Sequence, residues 1–234
     1  MSTSALGVLA VYLLGLGLAI FSQPIYALFS YMWIFYNDPQ TSWWGRDLPD
    51  LRYSLFAAVV ALAMSVRVKR DGDPKGLNTG TKLLLAYIAW TWIQTAWAVK
   101  VPVHIEGAIL FTKYGVLAFV IYKLTPDEKS LGLLLWAHIA GCFIFGWKAF
   151  GTDVSGRLES IGGPGVDDAN LLAAHLITGL VIAGFMVIGF KDFRRWLALL
   201  ALPFILNAII LTQSRGGFLT LIAAGGAAWY LAPP

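Results

Sequence analysis

Nine apolar runs, separated by short stretches rich in proline, glycine and charge, take up most of this chain. They occupy residues 5–21, 25–36, 51–66, 82–99, 105–124, 131–149, 169–190, 196–212 and 218–231. A helix needs roughly 20 apolar residues to cross the hydrocarbon of a bilayer. Within hydrocarbon every backbone N–H and C=O must be satisfied inside the segment, so such runs are helical. The pattern predicts an all-α polytopic transmembrane bundle of about eight to nine segments, some short or broken. Residues 25–36 fall well short of a full crossing. Pro24 separates them from the first run and breaks the helix there, which predicts a kinked or partly inserted hairpin. Residues 218–231 are also short. Of the 234 residues 58% are hydrophobic and only 13% charged, against about 25% charged in soluble domains. The chain therefore reads as one transmembrane domain over residues 1–234, with no soluble domain, tandem repeat or low-complexity tract. The N-terminus lacks the Lys/Arg start of a cleaved signal peptide, so residues 6–21 read as a retained membrane segment.

Loop charge predicts orientation. Arg67, Lys69, Arg70 and Lys75 share one loop, with Lys82 just after it. Lys123 and Lys129 flank a second loop, and Lys191, Arg194 and Arg195 fill a third. Counting crossings from Leu51 onward puts these three loops, 67–82, 123–130 and 191–195, on one side, which we assign to the cytoplasm. Residues 37–50, the turn around Pro102, the loop 150–168 and the turn at Ser214-Arg215 fall on the other. The side of the N-terminus is open. Ten Trp and nine Tyr, several near segment ends, suit aromatic belts at the two interfaces. No basic cluster with interleaved aromatics exists in a soluble setting, so nucleic acid is not an expected partner.

The string Thr212-Gln213-Ser214-Arg215-Gly216-Gly217 stands between two apolar runs. An arginine at the edge of a hydrocarbon-length segment is costly without an anionic partner. Its planar fork of donors suits phosphate oxygens, and glycines let a ligand come close. Under the predicted topology Arg157, Asp168, Asn170, Ser214 and Arg215 lie near one membrane face, where two guanidinium groups with polar neighbours can clamp a diphosphate leaving group. Each residue has a plainer reading. Arg157 pairs with Glu159 as a solvated loop cation. Asp167 or Asp168 caps the following helix, and Asn170 belongs to that cap. Arg215 snorkels to the interface.

Lys113 falls mid-segment and Glu106 precedes it by two helical turns on the same face. They form either an intramembrane polar site or a structural pair. His138 and His175 read as helix-packing polar residues, His104 as interfacial, and the single Cys142 as a small buried residue. No metal set is recognisable, no cofactor is expected, and no His-Glu-x-x-His, P-loop or Gly-x-Ser-x-Gly motif occurs. No catalytic residue is assigned.

The segment Leu211-Thr212-Gln213-Ser214-Arg215-Gly216-Gly217-Phe218-Leu219 resembles the Thr-x-Ser-Arg-Gly-Gly segment of the O-antigen ligase and polymerase superfamily. Gly156-Arg157-Leu158 and Gly163-Pro164-Gly165-Val166-Asp167-Asp168-Ala169-Asn170 resemble its loop-to-helix transition. Tyr31-Met32-Trp33, Asn37-Asp38-Pro39 and Trp43-Trp44-Gly45 resemble the exosortase-associated O-glycosylation ligase branch. The resemblance implies a bacterial inner-membrane protein with a periplasm-facing site. Such a site moves a glycan from an undecaprenyl-diphosphate carrier to lipid A core, another glycan or a protein, without metal or nucleotide sugar. It implies that Arg215 binds the carrier diphosphate and that Arg157, Asp168 and Asn170 line the same cavity. The family continues into a large periplasmic loop bearing a further arginine and an essential histidine, followed by more helices. The resemblance therefore implies that this sequence is either the N-terminal part of a longer protein or a shortened relative that cannot carry out the complete reaction. Two other functions compete: a transporter or flippase for an anionic or lipid-linked solute, and a non-catalytic envelope scaffold.

Overall fold

A computed structural model describes residues 2–68, 79–152, 156–163 and 165–231. Lys69, Arg70, Lys75 and Pro164 lie outside the described residues. Among them the chain is all-helical, with nine α-helices and two short 3-10 helices and no strand. The helices are α1 (Thr3–Phe21), α2 (Ile25–Tyr36), α3 (Tyr53–Arg67), α4 (Thr79–Ile93), α5 (Val101–Leu124), α6 (Glu128–Phe150), α7 (Ala169–Gly189), α8 (Phe193–Leu211) and α9 (Arg215–Leu231). Five of them, α1, α5, α6, α7 and α8, are long and apolar enough to cross a membrane. Leu14, Leu83, Ile188 and Leu200 are among many large apolar side chains left on the outside, where hydrocarbon solvates them better than water does. Five is fewer than the eight to nine segments expected from the sequence. The run 82–99 gives way at Ile93 to a 3-10 helix over Gln94–Trp97, and α2 and α3 are short. The next helix starts earlier than expected, because Pro102 sits in the first turn of α5, where its missing N–H costs nothing.

Caps set the starts. Asp127, Asp168 and Asp192 accept from backbone N–H groups of α6, α7 and α8, and Ser2 does so for α1. These bonds hold the three carboxyls below the usual carboxylate range; at Asp192 the Arg194 side chain is the larger cause.

The predicted break at Pro24 is present, and α1 and α2 fold back as an antiparallel hairpin. Trp33 Nε1 donates to the Val8 carbonyl at 3.0 Å, and Ser30 Oγ reaches the Tyr12 carbonyl at 3.5 Å. Tyr12 ties the hairpin to α3, its hydroxyl donating to the Tyr53 carbonyl at 2.9 Å. Helix α2 is central: it packs on α1, α3, α5 and α6. A second layer consists of α6, α7 and α8, with α9 against α7. Its core includes Phe145, Leu172, Leu176 and Ile205, all fully buried. Small residues allow this closeness. A Cβ on Gly141 would fall on the Tyr36 ring, and one on Gly146 would sit 2.6 Å from the Phe204 backbone.

The loops segregate to two ends of the bundle. At one end Ser2 N–H donates to the Asp47 carboxylate at 2.7 Å, Gly163 abuts Asp38, and Leu158 N–H donates to the Leu211 carbonyl at 2.9 Å. The N-terminus, 37–52, 156–168 and 212–214 therefore share that end. At the other end Arg67 reaches the Ile20 carbonyl, and Leu124 packs with Ala19 and Leu28. The N-terminus, whose side the sequence left open, thus lies with the loop 156–168.

Candidate functional site

The polar string and the preceding loop meet at the shared end. Leu158, Ile161 and Val166 are buried and anchor the loop against the helices. Two non-glycine residues, Ser160 at φ 59° and Gln213 at φ 50°, adopt the left-handed region. Such backbone costs about 1–3 kcal/mol and persists only when its surroundings fix it. Here Gln213 Nε2 donates to the Gly156 carbonyl at 3.0 Å, and Ser160 N–H donates to the Asp167 carbonyl at 3.0 Å.

Asn170 is the node. Its Oδ1 accepts from Arg157 Nη2 at 3.0 Å and from Ser214 Oγ at 2.9 Å. Arg157 Nε donates to the Thr212 carbonyl at 3.1 Å. Ser214 Oγ also accepts from Gly217 N–H at 3.0 Å, so one hydroxyl caps α9 and ties it to α7. A Cβ on Gly217 would lie 2.8 Å from Ala173 Cβ, which explains how α9 starts so close to α7. The N-termini of two helices therefore converge on one exposed loop.

Of the sequence candidates, the structure brings Arg157, Asn170 and Ser214 into direct contact. Asp168 is the α7 cap, its Oδ1 accepting from Asn170 N–H at 2.7 Å and Leu171 N–H at 3.3 Å. Those bonds, with the nearby Arg157 charge as a smaller cause, hold its carboxyl below the usual range. The Arg157–Glu159 pair is only a long contact of 3.9 Å between exposed groups. Arg215 does not stand in a loop turn as the sequence suggested. It opens α9, exposed, because the Ser214 cap lets the helix begin one residue after Ser214. Its guanidinium makes no hydrogen bond or ion pair among the described residues. Lys113 and Glu106 are both exposed on α5 and do not pair with one another. His104 is half-buried and joins α5 to α4 through the Thr91 carbonyl at 2.7 Å.

A second polar constellation lies inside the bundle. The Tyr36 hydroxyl stands 2.7 Å from His138 Nδ1 and 2.9 Å from His175 Nε2. His138 Nε2 stands 2.8 Å from Thr178 Oγ1, which donates to the His175 carbonyl at 2.7 Å. The donor directions follow. A carbonyl only accepts, so the one Thr178 proton is committed, and Thr178 must accept from His138 Nε2–H. His138 Nδ1 is then the acceptor of the Tyr36 proton, and Tyr36 accepts from His175 Nε2–H. Two neutral imidazoles, a phenol and a hydroxyl form one oriented chain. Buried Cys142 completes the group, its Sγ 3.8 Å from His138 Nε2. Beside this cluster Lys148 Nζ donates to the Tyr36 carbonyl at 2.8 Å, and Asp38 lies within its electrostatic reach.

Sequence reasoning treated His138, His175 and Cys142 separately and passed over Tyr36. One signal was present: His138 and Cys142 are four residues apart, one turn along a single helical face. Nothing local points to Tyr36 or His175. No protein-family model, curated protein or solved structure matches this chain.

Proposed function

We propose that this multi-pass membrane chain binds a lipid-linked glycan diphosphate at the end of the bundle bearing Arg157 and Arg215, and serves its transfer to an acceptor in the manner of an O-antigen ligase. The observation that carries the reading is the Asn170 node. It fixes loop 156–168, the α7 N-terminus and the α9 N-terminus together, with the exposed guanidinium of Arg215 one residue beyond Ser214. The dipole of α9 favours an anion at its N-terminus, whereas the α7 N-terminus is already occupied by the Asp168 carboxylate; the uncommitted Arg215 guanidinium adds a bidentate donor pair. Arg157 acts by positioning, since Nε and Nη2 are already engaged. In this reading the end with the loop 156–168 faces the periplasm of a bacterial inner membrane, and the shorter helices α2, α3, α4 and α9 are also inserted. The acceptor is a lipid A core, a glycan or a protein.

The test is binding of undecaprenyl diphosphate to the chain in nanodiscs. Arg215→Lys and Arg215→Ala should each weaken binding at least about tenfold without moving the unfolding midpoint, because lysine cannot reproduce the bidentate fork. Equal binding by all three proteins would remove the diphosphate from this end and favour a scaffold.

A further inference from the structure

We infer that His138, Cys142 and His175 form a binding site for a borderline-soft divalent cation of the Zn²⁺ class within the helix bundle. One donor atom from each residue lies within 4.8 Å of those of the other two. A tetrahedral ion with bonds of about 2.0 Å to imidazole nitrogen and about 2.3 Å to sulfur holds those two donors about 3.6 Å apart. The observed Cys142 Sγ to His138 Nε2 separation is 3.8 Å. The three donors span up to 4.8 Å, so side-chain movements of about 1 Å close a three-ligand set, leaving one coordination position open.

The composition of the set points to the same class. One thiolate with two imidazoles selects zinc-like ions over magnesium or calcium, which take oxygen ligands. The surroundings argue that the group is built rather than incidental. The His175 ring centre lies 5.5 Å from that of Phe35 and 6.1 Å from that of Phe145. Polar side chains among such neighbours are costly in a membrane interior and mark functional positions. The backbone also makes room for them. A Cβ on Gly179 would fall 2.5 Å from Cys142 Sγ and 3.7 Å from His138 Nε2, and one on Gly141 would fall on the Tyr36 ring.

Tyr36 is a positioning residue in this site. When His138 Nε2 binds the ion, the imidazole proton sits on Nδ1 and is donated to the Tyr36 oxygen, now 2.7 Å away, while the Tyr36 hydroxyl turns its own proton toward the Cys142 sulfur beside it. Such an outer hydrogen bond fixes tautomer and ring orientation. Thr178 yields its place on Nε2 to the ion and keeps its bond to the His175 carbonyl. Binding releases the Cys142 thiol proton, since only the thiolate ligates.

The experiment is a Co²⁺ titration of the full chain in detergent under thiol-reducing conditions, followed by Zn²⁺ displacement. The expected result is one Co²⁺ per chain with a thiolate-to-cobalt charge-transfer band and the visible bands of a tetrahedral ion. Cys142→Ser should abolish the charge-transfer band. His138→Ala and His175→Ala should weaken binding at least tenfold, and Tyr36→Phe by about ten- to a hundredfold. Zn²⁺ should raise the unfolding midpoint of the unmodified chain and not that of Cys142→Ser. Cys142→Ser is nearly isosteric; were it to fail to fold, His175→Gln read by the same band takes its place. No charge-transfer band in the unmodified chain would overturn the proposal. Binding that all the substitutions leave unchanged would do the same, and the cluster would then be a hydrogen-bonded relay alone.

Discussion

The two polar constellations are built in opposite ways. The Arg157–Asn170–Ser214 node sits at one end of the bundle, joins stretches that are each short and polar in sequence, and adds side-chain bonds between segments to the Ser214 cap of α9. The Tyr36–His138–Cys142–His175 cluster sits between helices, and Tyr36 lies 102 and 139 residues away from the two histidines it bridges. At that end Arg157 and Asn170 are exposed, so water can replace a partner they lose, while Thr212 and Ser214 are buried and their bonds are worth more. Between the helices, where Tyr36 and Cys142 are buried and the two histidines half-buried, a lost partner leaves the Tyr36 hydroxyl with little else to bond.

Substitutions sharpen this contrast. The largest effect should come from Gly141→Ala, which drives a methyl group into the Tyr36 ring. Overpacking of this kind costs about 3 kcal/mol, read as a lowered unfolding midpoint in detergent. It should also remove thiolate–cobalt absorption. Tolerance of the methyl group would show that α2 and α6 separate easily and that the interior is not the stricter region. Ser214→Ala comes next. It deletes the α9 cap and the Asn170 bond together and should cost about 1–2 kcal/mol. Arg157→Lys keeps the charge but not the fork spanning Thr212 and Asn170, and should cost about 1 kcal/mol at this half-exposed position. Arg215→Ala should change stability by less than about 0.5 kcal/mol, so a loss of diphosphate binding in that variant reports the ligand and not the fold.

The smallest effect is acid dependence at the exposed end. The carboxyl of Asp168 is held down by the α7 N–H groups. A group with a depressed folded value stabilises the fold above its unfolded value, near 3.8, and that contribution fades as pH falls through the still lower folded value. Asp168→Asn should flatten part of the decline in unfolding midpoint below about pH 4. An unchanged slope would place acid sensitivity with the other depressed carboxyls, Asp47, Asp127 and Asp192.

Much of the exposed end could be read from residues in order. Asp167 or Asp168 as a cap and the nearness of Arg157, Asn170 and Ser214 follow from spacing and loop alternation, as does the break at Pro24 at the opposite end. The place of Arg215 does not follow. The two glycines after it suggest a turn, yet Gly217 N–H finds the Ser214 hydroxyl and the helix starts there. Likewise Pro102 reads as part of a loop turn but lies in the first turn of α5.

What the sequence determined by itself is the material of the fold. Apolar runs of near-bilayer length must close their own hydrogen bonds, and the Asp and Ser residues before them fix where several begin. Tertiary structure alone decided which side chains meet. Helix pairing depends on close approach at single small residues such as Gly141 and Gly179, summed over whole faces. An apolar helix with no strongly amphipathic side does not announce which neighbour it will choose. The meeting of Tyr36, His138, Cys142 and His175 is therefore a property of the packed bundle, set by how α2, α6 and α7 seat against one another.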